Sequence, residues 1–514
     1  MRWQSMLLAA ATAFSGLVAG MPILDPEGFT PYARGLEELT LFSPGCSIPD
    51  FWRFITRLSH NAEIYFQGQN KFNTYSIRWS NVGTPKVNIT ILPATENDVV
   101  EIVRLANGCN IPFLAYNSAH GSITTLKNMS WGILINLRKL SGVTIHAANE
   151  TATILGGTNS KYMIQQLWDA GYQAVTGTCE CVNYMGPALG GGHGWLQGHY
   201  GLIADQFRSL NVVLANGTKI TVGPDHELFW AMNGAGHNFG IVTSANIKIY
   251  PKIHTTYAIE ILTFTGDKAK DLYEAAITTF ANQPVEVIQW SYWMNIPQLD
   301  PTGPIIEFYI IQEGVTAVDS QWTAAFYALN PIAANPQTGS YLDLSTWLSI
   351  NMDGPPCQKT GMANPRFPLY LESFNATAME EVYEAFKAGT NSSGPFYNSL
   401  FMFEGYSMQG VQAKNASNAA FAWRNDNLLV APLIQYQPGN PALDEAAKQF
   451  GNELRQILHR GSGRTEMHTY VNYAYGDETP EEWYGHESWR LTKLRQLKTK
   501  YDPNNRFSFY GPVN

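Results

Sequence analysis

The sequence predicts an α+β protein of two domains, and three observations predict it. Residues 88–116 read strand, helix, strand, the passage after which a ligand loop is expected in an α/β layer. The stretch Thr176–Asp205 is crowded with glycine and has neither the alternation of a strand nor the stripe of a helix. Beyond Pro251 the texture changes to alternating strands separated by helices, without repeated β-α-β units. At 514 residues the chain is too long for one ordinary domain.

Taken in order, residues 21–50 read as loop and Pro49–Ser59 as a short helix. Asn88–Leu92 is apolar and β-branched, and Pro93 turns it into a helix. Thr95 and Asp98 have capping-box spacing there; Val99, Val100, Ile102, Val103 and Ala106 give the helix one apolar face, and Gly108 stops it. Ile111–Tyr116 is the next strand. Further strands follow at Ile133–Leu137, Val143–His146 and Thr153–Leu155, with a helix at Ser160–Asp169. Leu210–Leu214 and Lys219–Val222 flank Asn216-Gly217, which reads as a hairpin turn. A second glycine-rich turn, Gly234–Thr243, enters an apolar strand that runs to Tyr250. In the second half, strands are expected at Tyr257–Phe264, Ile305–Gln312, Leu400–Phe403 and Leu428–Gln435, and helices at Asp267–Ala281, Met379–Ala388 and Pro441–His459. The chain therefore divides as 21–254 and 255–461. Residues 462–514 form an aromatic-rich tail, ending in a basic helix, that is expected to pack back on a functional surface.

Composition narrows the function classes. A 45% hydrophobic and 13% aromatic content supports large cores, and nothing reads as disordered. The net charge of −9, with no Lys/Arg cluster, argues against nucleic acid and makes a small molecule the expected partner. Residues 1–20 read as a signal peptide: Arg2, a short apolar core at Met6–Val18, then Val18-Ala19-Gly20. No segment reaches the roughly 20 apolar residues of a membrane span. Asn-x-Ser/Thr acceptors at Asn88, Asn128, Asn149, Asn216, Asn375, Asn391 and Asn415 fit a secreted glycoprotein. In an oxidising compartment the odd count of five cysteines leaves one without a protein partner. Cys46 and Cys109 are expected to pair. Cys179-x-Cys181 has no second such pair, so its spacing is poor for zinc and tight for a mutual disulfide, and no metal is expected.

The glycine-rich stretch holds Gly177, Gly186, Gly190, Gly191, Gly192, Gly194, Gly198 and Gly201 with two cysteines and two histidines. Such a run lets backbone N–H groups approach a ligand closely. A plain flexible loop is the other reading. Upstream, Phe113–Leu126 (FLAYNSAHGSITTL) follows directly on a strand end. These two segments, LFWAMNGAGHNFGIVT from Leu228 and the C-terminal YVNY…YDPNNRF occur in one order, and together they resemble the flavoprotein oxidases of the berberine bridge enzyme group. That group shares its FAD-binding fold with vanillyl-alcohol oxidase. The resemblance covers most of the chain after residue 20 and is weakest from about 255 to 400.

The resemblance implies a two-part PCMH-type FAD-binding domain plus an α+β substrate domain with an antiparallel sheet. It implies FAD bound covalently through His120 and Cys179, which hold the places of the histidine that bonds the flavin 8α-methyl and the cysteine that bonds C6. The odd cysteine then has a covalent partner. Tyr116, Asn117, Ser118, Ala119, Gly121, Val182, Gly186, Gly190, Gly191, Gly192, Gly194, Gly240, Ile241, Val242 and Asn472 are implied as further cofactor-binding positions. The residues alone leave open a plain loop role for His120 and a disulfide from Cys179 to Cys357 or Cys181. One departure is visible: relatives carry Arg-Ser-Gly-Gly before the histidine, whereas this chain has Tyr116-Asn117-Ser118-Ala119.

Substrate oxidation on a flavin also needs a base. Tyr473 of Tyr470-Val471-Asn472-Tyr473 matches the tyrosine base of related sugar oxidases, and Glu404 in FMFEGY is the competing base; Tyr470 is expected to pack or bind substrate. Valine at 182 is the residue that accompanies fast reaction with O2 in plant relatives, so an oxidase releasing H2O2 is implied. Trp290, Tyr292 and Trp293 could form an aromatic platform or simply be core. The His-Gly-Ser-Ile-Thr-Thr-Leu run leans toward fungal secondary-metabolism oxidases acting on a hydrophobic small molecule. A carbohydrate oxidase and a non-redox flavin-containing cyclase are the alternatives.

Overall fold

The computed structural model describes Cys46 and residues 48–513. The expected signal peptide at 1–20, and nearly all of the loop expected at 21–50, lie outside the described residues. The fold is α+β, built on three sheets.

The first sheet holds β1 (Glu63–Phe66), β2 (Ile89–Leu92), β3 (Phe113–Tyr116) and β4 (Ile133–Asn136) in the order β1-β2-β4-β3. β4 is parallel to both β2 and β3, and β1 is antiparallel to β2. The connection from β2 to β3 is the helix Glu96–Gly108. Its start is set by Thr95, whose side chain accepts from the Asp98 N–H, while the Asp98 carboxylate accepts back from the Thr95 N–H. This capping box supplies acceptors to amides that have no intrahelical partner. The apolar face read from the sequence is buried against the sheet, with Val99, Ile102, Val103 and Ala106 at 0% exposure. The Cys46–Cys109 disulfide ties the segment before residue 48 to the end of this helix.

The second sheet is antiparallel. Its strands are β5 (Val143–His146), β6 (Thr151–Leu155), β8 (Phe207–Leu214), β9 (Lys219–Val222) and β10 (Gly240–Lys248), in the order β5-β6-β10-β8-β9. A short pair, β7 (Tyr172–Gln173) with β11 (Tyr250–Pro251), lies beside it. The β8–β9 hairpin turns at Asn216-Gly217, where Gly217 has φ +79°, a conformation that costs glycine nothing.

The third sheet lies in the second half of the chain and is antiparallel throughout. It contains β12 (Tyr257–Phe264), β13 (Val287–Met294), β14 (Ile305–Glu313), β15 (Ala333–Ala334), β16 (Gln337–Gly339), β17 (Leu369–Leu371), β18 (Leu400–Gly405) and β19 (Leu428–Leu433). The order is β15-β12-β14-β13-β18-β19-β17, with β16 also on β12. β13 was not anticipated, because its Trp and Tyr residues had been considered only as a platform or core. The period of two assigns its side chains to opposite faces. Trp293 points to the helix side and packs with Tyr273, Tyr383, Phe386, Phe401 and Phe403. Trp290 and Tyr292 point the other way, into the core shared with the glycine-rich segment. Trp293 is therefore core, and the three-residue aromatic platform does not exist as such. The same alternation puts Met402 and Glu404 of β18 on the face of Trp290 and Tyr292, with Phe401 and Phe403 among the helices.

Candidate active site

A cavity opens where the end of β3, the segment Gly177–Leu189, the start of β10, the bare face of the third sheet and the C-terminal tail meet. Of the residues singled out in the sequence, Tyr116, Asn117, Ser118, Ala119, His120, Gly121, Cys179, Val182, Gly186, Gly240, Ile241, Val242, Tyr470, Asn472 and Tyr473 line it. Gly190, Gly191, Gly192 and Gly194 do not. A Cβ at these four positions would stand 2.2 Å from Asn472 Oδ1, 2.5 Å from Phe421, 2.7 Å from Ile203 and 1.9 Å from the Thr176 carbonyl. At these four positions the missing side chain lets neighbouring protein segments pack closely.

His120 enters at the end of β3. Its Nε2–H donates to the Pro356 carbonyl at 2.7 Å, and its ring stacks on Trp79 at 4.4 Å. Burial, helped by the nearby Arg366 charge, lowers its pKa to about 3, so the imidazole is neutral and nucleophilic. Ala119, just before it, has φ +56°. This is the left-handed region that glycine adopts freely and an alanine enters at a cost of about 1–2 kcal/mol. Cys179 is the free cysteine; Cys181, two residues on, is bonded to Cys357. The ring nitrogen of His120 and the sulfurs of Cys179 and Cys181 lie within 4.8 Å of one another, but Cys181 is consumed by its disulfide, which leaves no thiolate there for a metal.

The catalytic candidates converge from two distant segments. Tyr473, in the tail, donates its phenol proton to Glu404 Oε1 at 2.9 Å, and Tyr406 donates to Oε2 at 2.8 Å. Glu404 is 1% exposed and lies behind the cavity wall that Tyr473 and Tyr406 form. Burial raises its pKa to about 7, against the pull of the two phenols and of Arg366. Tyr473 is pushed well above the usual phenol value by burial and by the Glu404 charge, while Arg366 opposes both. Tyr470 lines the cavity with its hydroxyl accepting from Asn472 Nδ2 at 2.8 Å.

Several residues of the site were not anticipated. The Arg366 guanidinium lies 4.4 Å from the Tyr473 ring centre and 4.7 Å from that of Trp79. It is 93% buried by the complement of its 7% exposure, and has no ion pair or hydrogen bond among the described residues. Trp79 and Arg366 thus connect His120 to Tyr473 through an unbroken series of face contacts. His193 donates and accepts between Gln197 Oε1, at 2.9 Å, and the Tyr370 hydroxyl, at 2.6 Å, and stacks on Tyr406. Arg366 precedes β17 in the part of the chain with the least motif content, and no local pattern marks it.

The cavity's own features suit a flavin. Asn117 Oδ1 is buried with no donor, Gly186 lines the wall with nothing within 4 Å of where a Cβ would stand, and an imidazole and a thiol share one side. These fit a ligand with amide-like donors and electrophilic ring positions. Comparison with known proteins agrees. Residues 87–223 match the FAD binding domain model, and residues 469–514 match the model described as berberine and berberine like. The FAD-linked oxidoreductase chyH of Penicillium rubens is 53% identical over 467 residues, covering 90% of this chain and 93% of its own.

The chain belongs to the berberine-like FAD-linked oxidoreductases.

A second relative, FAD-linked oxidoreductase chry5 of Gibberella zeae, is 50% identical over 479 residues, covering 90% of this chain and 95% of its own. In fold the chain is similar to BBE-like 1 of Physcomitrella patens (TM-score 0.76, 18% identity, 88% and 97% of the two chains). As a berberine-like oxidoreductase it binds FAD. Among the described residues no helix is long and apolar enough to cross a membrane.

Proposed function

We propose that this protein is a secreted oxidase of a hydrophobic small molecule, working in secondary metabolism with FAD attached through both His120 and Cys179 and with O2 as the final acceptor. In this reading residues 1–20 are removed, 21–254 hold the cofactor, 255–461 hold the substrate, and 462–514 return catalytic residues to the cofactor domain. The observation that carries it is the Tyr473–Glu404 hydrogen bond of 2.9 Å at a cavity that also receives His120 and Cys179.

FAD held in this cavity would supply the hydride acceptor. The side chains of this protein handle the proton. Tyr473 takes the proton of a substrate hydroxyl or amine as it passes its own to Glu404, whose pKa near 7 suits it as the receiving base at neutral pH. Arg366, against the Tyr473 ring, favours the phenolate that forms in between. Valine at 182, which lies on the cavity wall, supports reoxidation by O2 with release of H2O2.

The test is a pair of stopped-flow experiments on purified protein. Substrate-dependent bleaching under anaerobic conditions followed by fast recovery in air, with H2O2 released, supports the oxidase. Product formed anaerobically without bleaching overturns it in favour of a cyclase. Peroxide release on oligosaccharides alone would transfer the reading to a carbohydrate oxidase.

A further inference from the structure

Three sulfurs meet at the cavity wall. Cys179 Sγ lies 3.7 Å from Cys181 Sγ and 3.6 Å from Cys357 Sγ, and those two are bonded to each other. Cys179 is therefore nearly equidistant from both ends of the bridge and faces it from the side. Thiol–disulfide exchange needs the attacking thiolate in line with the bond that breaks. The side-on approach, and a burial that pushes the Cys179 thiol up to about 11, both disfavour exchange. Cys357, if left reduced, would be within easy reach of Cys179 as a disulfide partner.

We propose that the Cys181–Cys357 bridge is a positioning element for cofactor attachment: by bonding to each other, the two cysteines keep Cys179 a free thiol facing the cavity. The inference rests on the proposed attachment of FAD at Cys179. The bridge also anchors the turn Pro355–Cys357, whose Pro356 carbonyl orients His120, so one link serves both attachment side chains. Neither cysteine touches the reacting atoms, and their effect is exerted through Cys179.

The chemistry that the bridge prevents is explicit. In Cys181→Ser the thiols of Cys179 and Cys357 are left facing each other. Oxidation by a disulfide such as oxidised glutathione joins their sulfurs, and two electrons and two protons leave with the reagent as two glutathione thiols. Cys179 then has no thiol for the flavin.

The experiment compares wild type, Cys181→Ser and Cys181→Ser/Cys357→Ser, expressed as secreted holoproteins, alkylated without reduction, digested, and read by peptide mass and by flavin absorbance of each peptide. In wild type the flavin is expected on the peptides of both His120 and Cys179. In Cys181→Ser, the fraction of Cys179 carrying flavin is expected to fall roughly tenfold or more, with Cys179 recovered in a disulfide to Cys357 and flavin kept on His120. In the double variant, which has no competing thiol, flavin on Cys179 is expected to return. That rescue is a result a merely stabilising disulfide would not produce. The inference is overturned if Cys181→Ser carries flavin on Cys179 at the wild-type fraction, or if the double variant is as deficient as the single. A wild type with no flavin on Cys179 overturns the attachment reading itself, and is seen in its own arm of the experiment.

Discussion

The phenol of Tyr473 and the carboxylate of Glu404, 69 residues apart, share a hydrogen bond of 2.9 Å that joins a half-buried side chain on the cavity wall to a buried one behind it. Two residues that the sequence offers as rival bases are thus hydrogen-bonded to each other, and in the proposed mechanism they act as one unit. Tyr473→Phe and Glu404→Gln are each expected to lower kcat by about 10²–10⁴, with the double variant little worse than either single. Additive losses in a double-mutant cycle would show that the two act separately.

The pH dependence follows from Glu404. The rate is expected to rise with pH through about 7 as its carboxyl ionises, and Glu404→Gln is expected to flatten that limb. Stability moves the other way. A carboxyl whose folded pKa lies above its unfolded value stabilises the fold fully below the unfolded value and loses that contribution as pH rises through about 7. Thermal melts of wild type and Glu404→Gln between pH 4 and pH 8 check this, the difference between them changing across that window and levelling off above about 7.

Arg366 pulls the pKa of both Glu404 and Tyr473 down. Arg366→Leu is expected to move the rising limb of the pH–rate profile above 7 and to lower kcat by about 10–100-fold, with Arg366→Lys partly restoring the limb. An unshifted limb would mean that the guanidinium serves only packing between Trp79 and Tyr473.

Ala119 holds φ +56° one residue before the histidine that faces the cavity. Ala119→Gly is expected to stabilise the protein by roughly 0.5–1 kcal/mol, after allowing for the greater entropy of glycine in the unfolded chain. An unchanged or lower Tm would show that the Cβ makes compensating contacts.

Cys46–Cys109 closes a separation of 63 residues around the first sheet and its helix. Cys46→Ser/Cys109→Ser is expected to cost about 2–4 kcal/mol, read as a lower midpoint in denaturant.

Much of the architecture was legible in the chain because its signals are local. The Thr95–Asp98 cap, the Asn216-Gly217 turn, the apolar face of Glu96–Gly108 and the alternation in β12, β14, β18 and β19 each act over a few residues, and the elements formed there. The order of four motifs carried the family and the cavity-lining residues around His120, Cys179 and Tyr473. Tertiary structure alone decided the rest. Whether Glu404 faces the site depends on which side of the third sheet the helices cover, and period two offers both sides equally until the sheet is packed. The partner of Cys181 lies 176 residues away, and sulfur pairing follows spatial approach, not spacing in the chain. Arg366 and Trp79 occupy no motif, and their role arises only because β3, β17 and the tail converge on one cavity. The glycines from Gly190 to Gly194 show the same limit: their presence announces a close approach, but only the folded neighbours reveal that what approaches is Asn472, Phe421, Ile203 and Thr176.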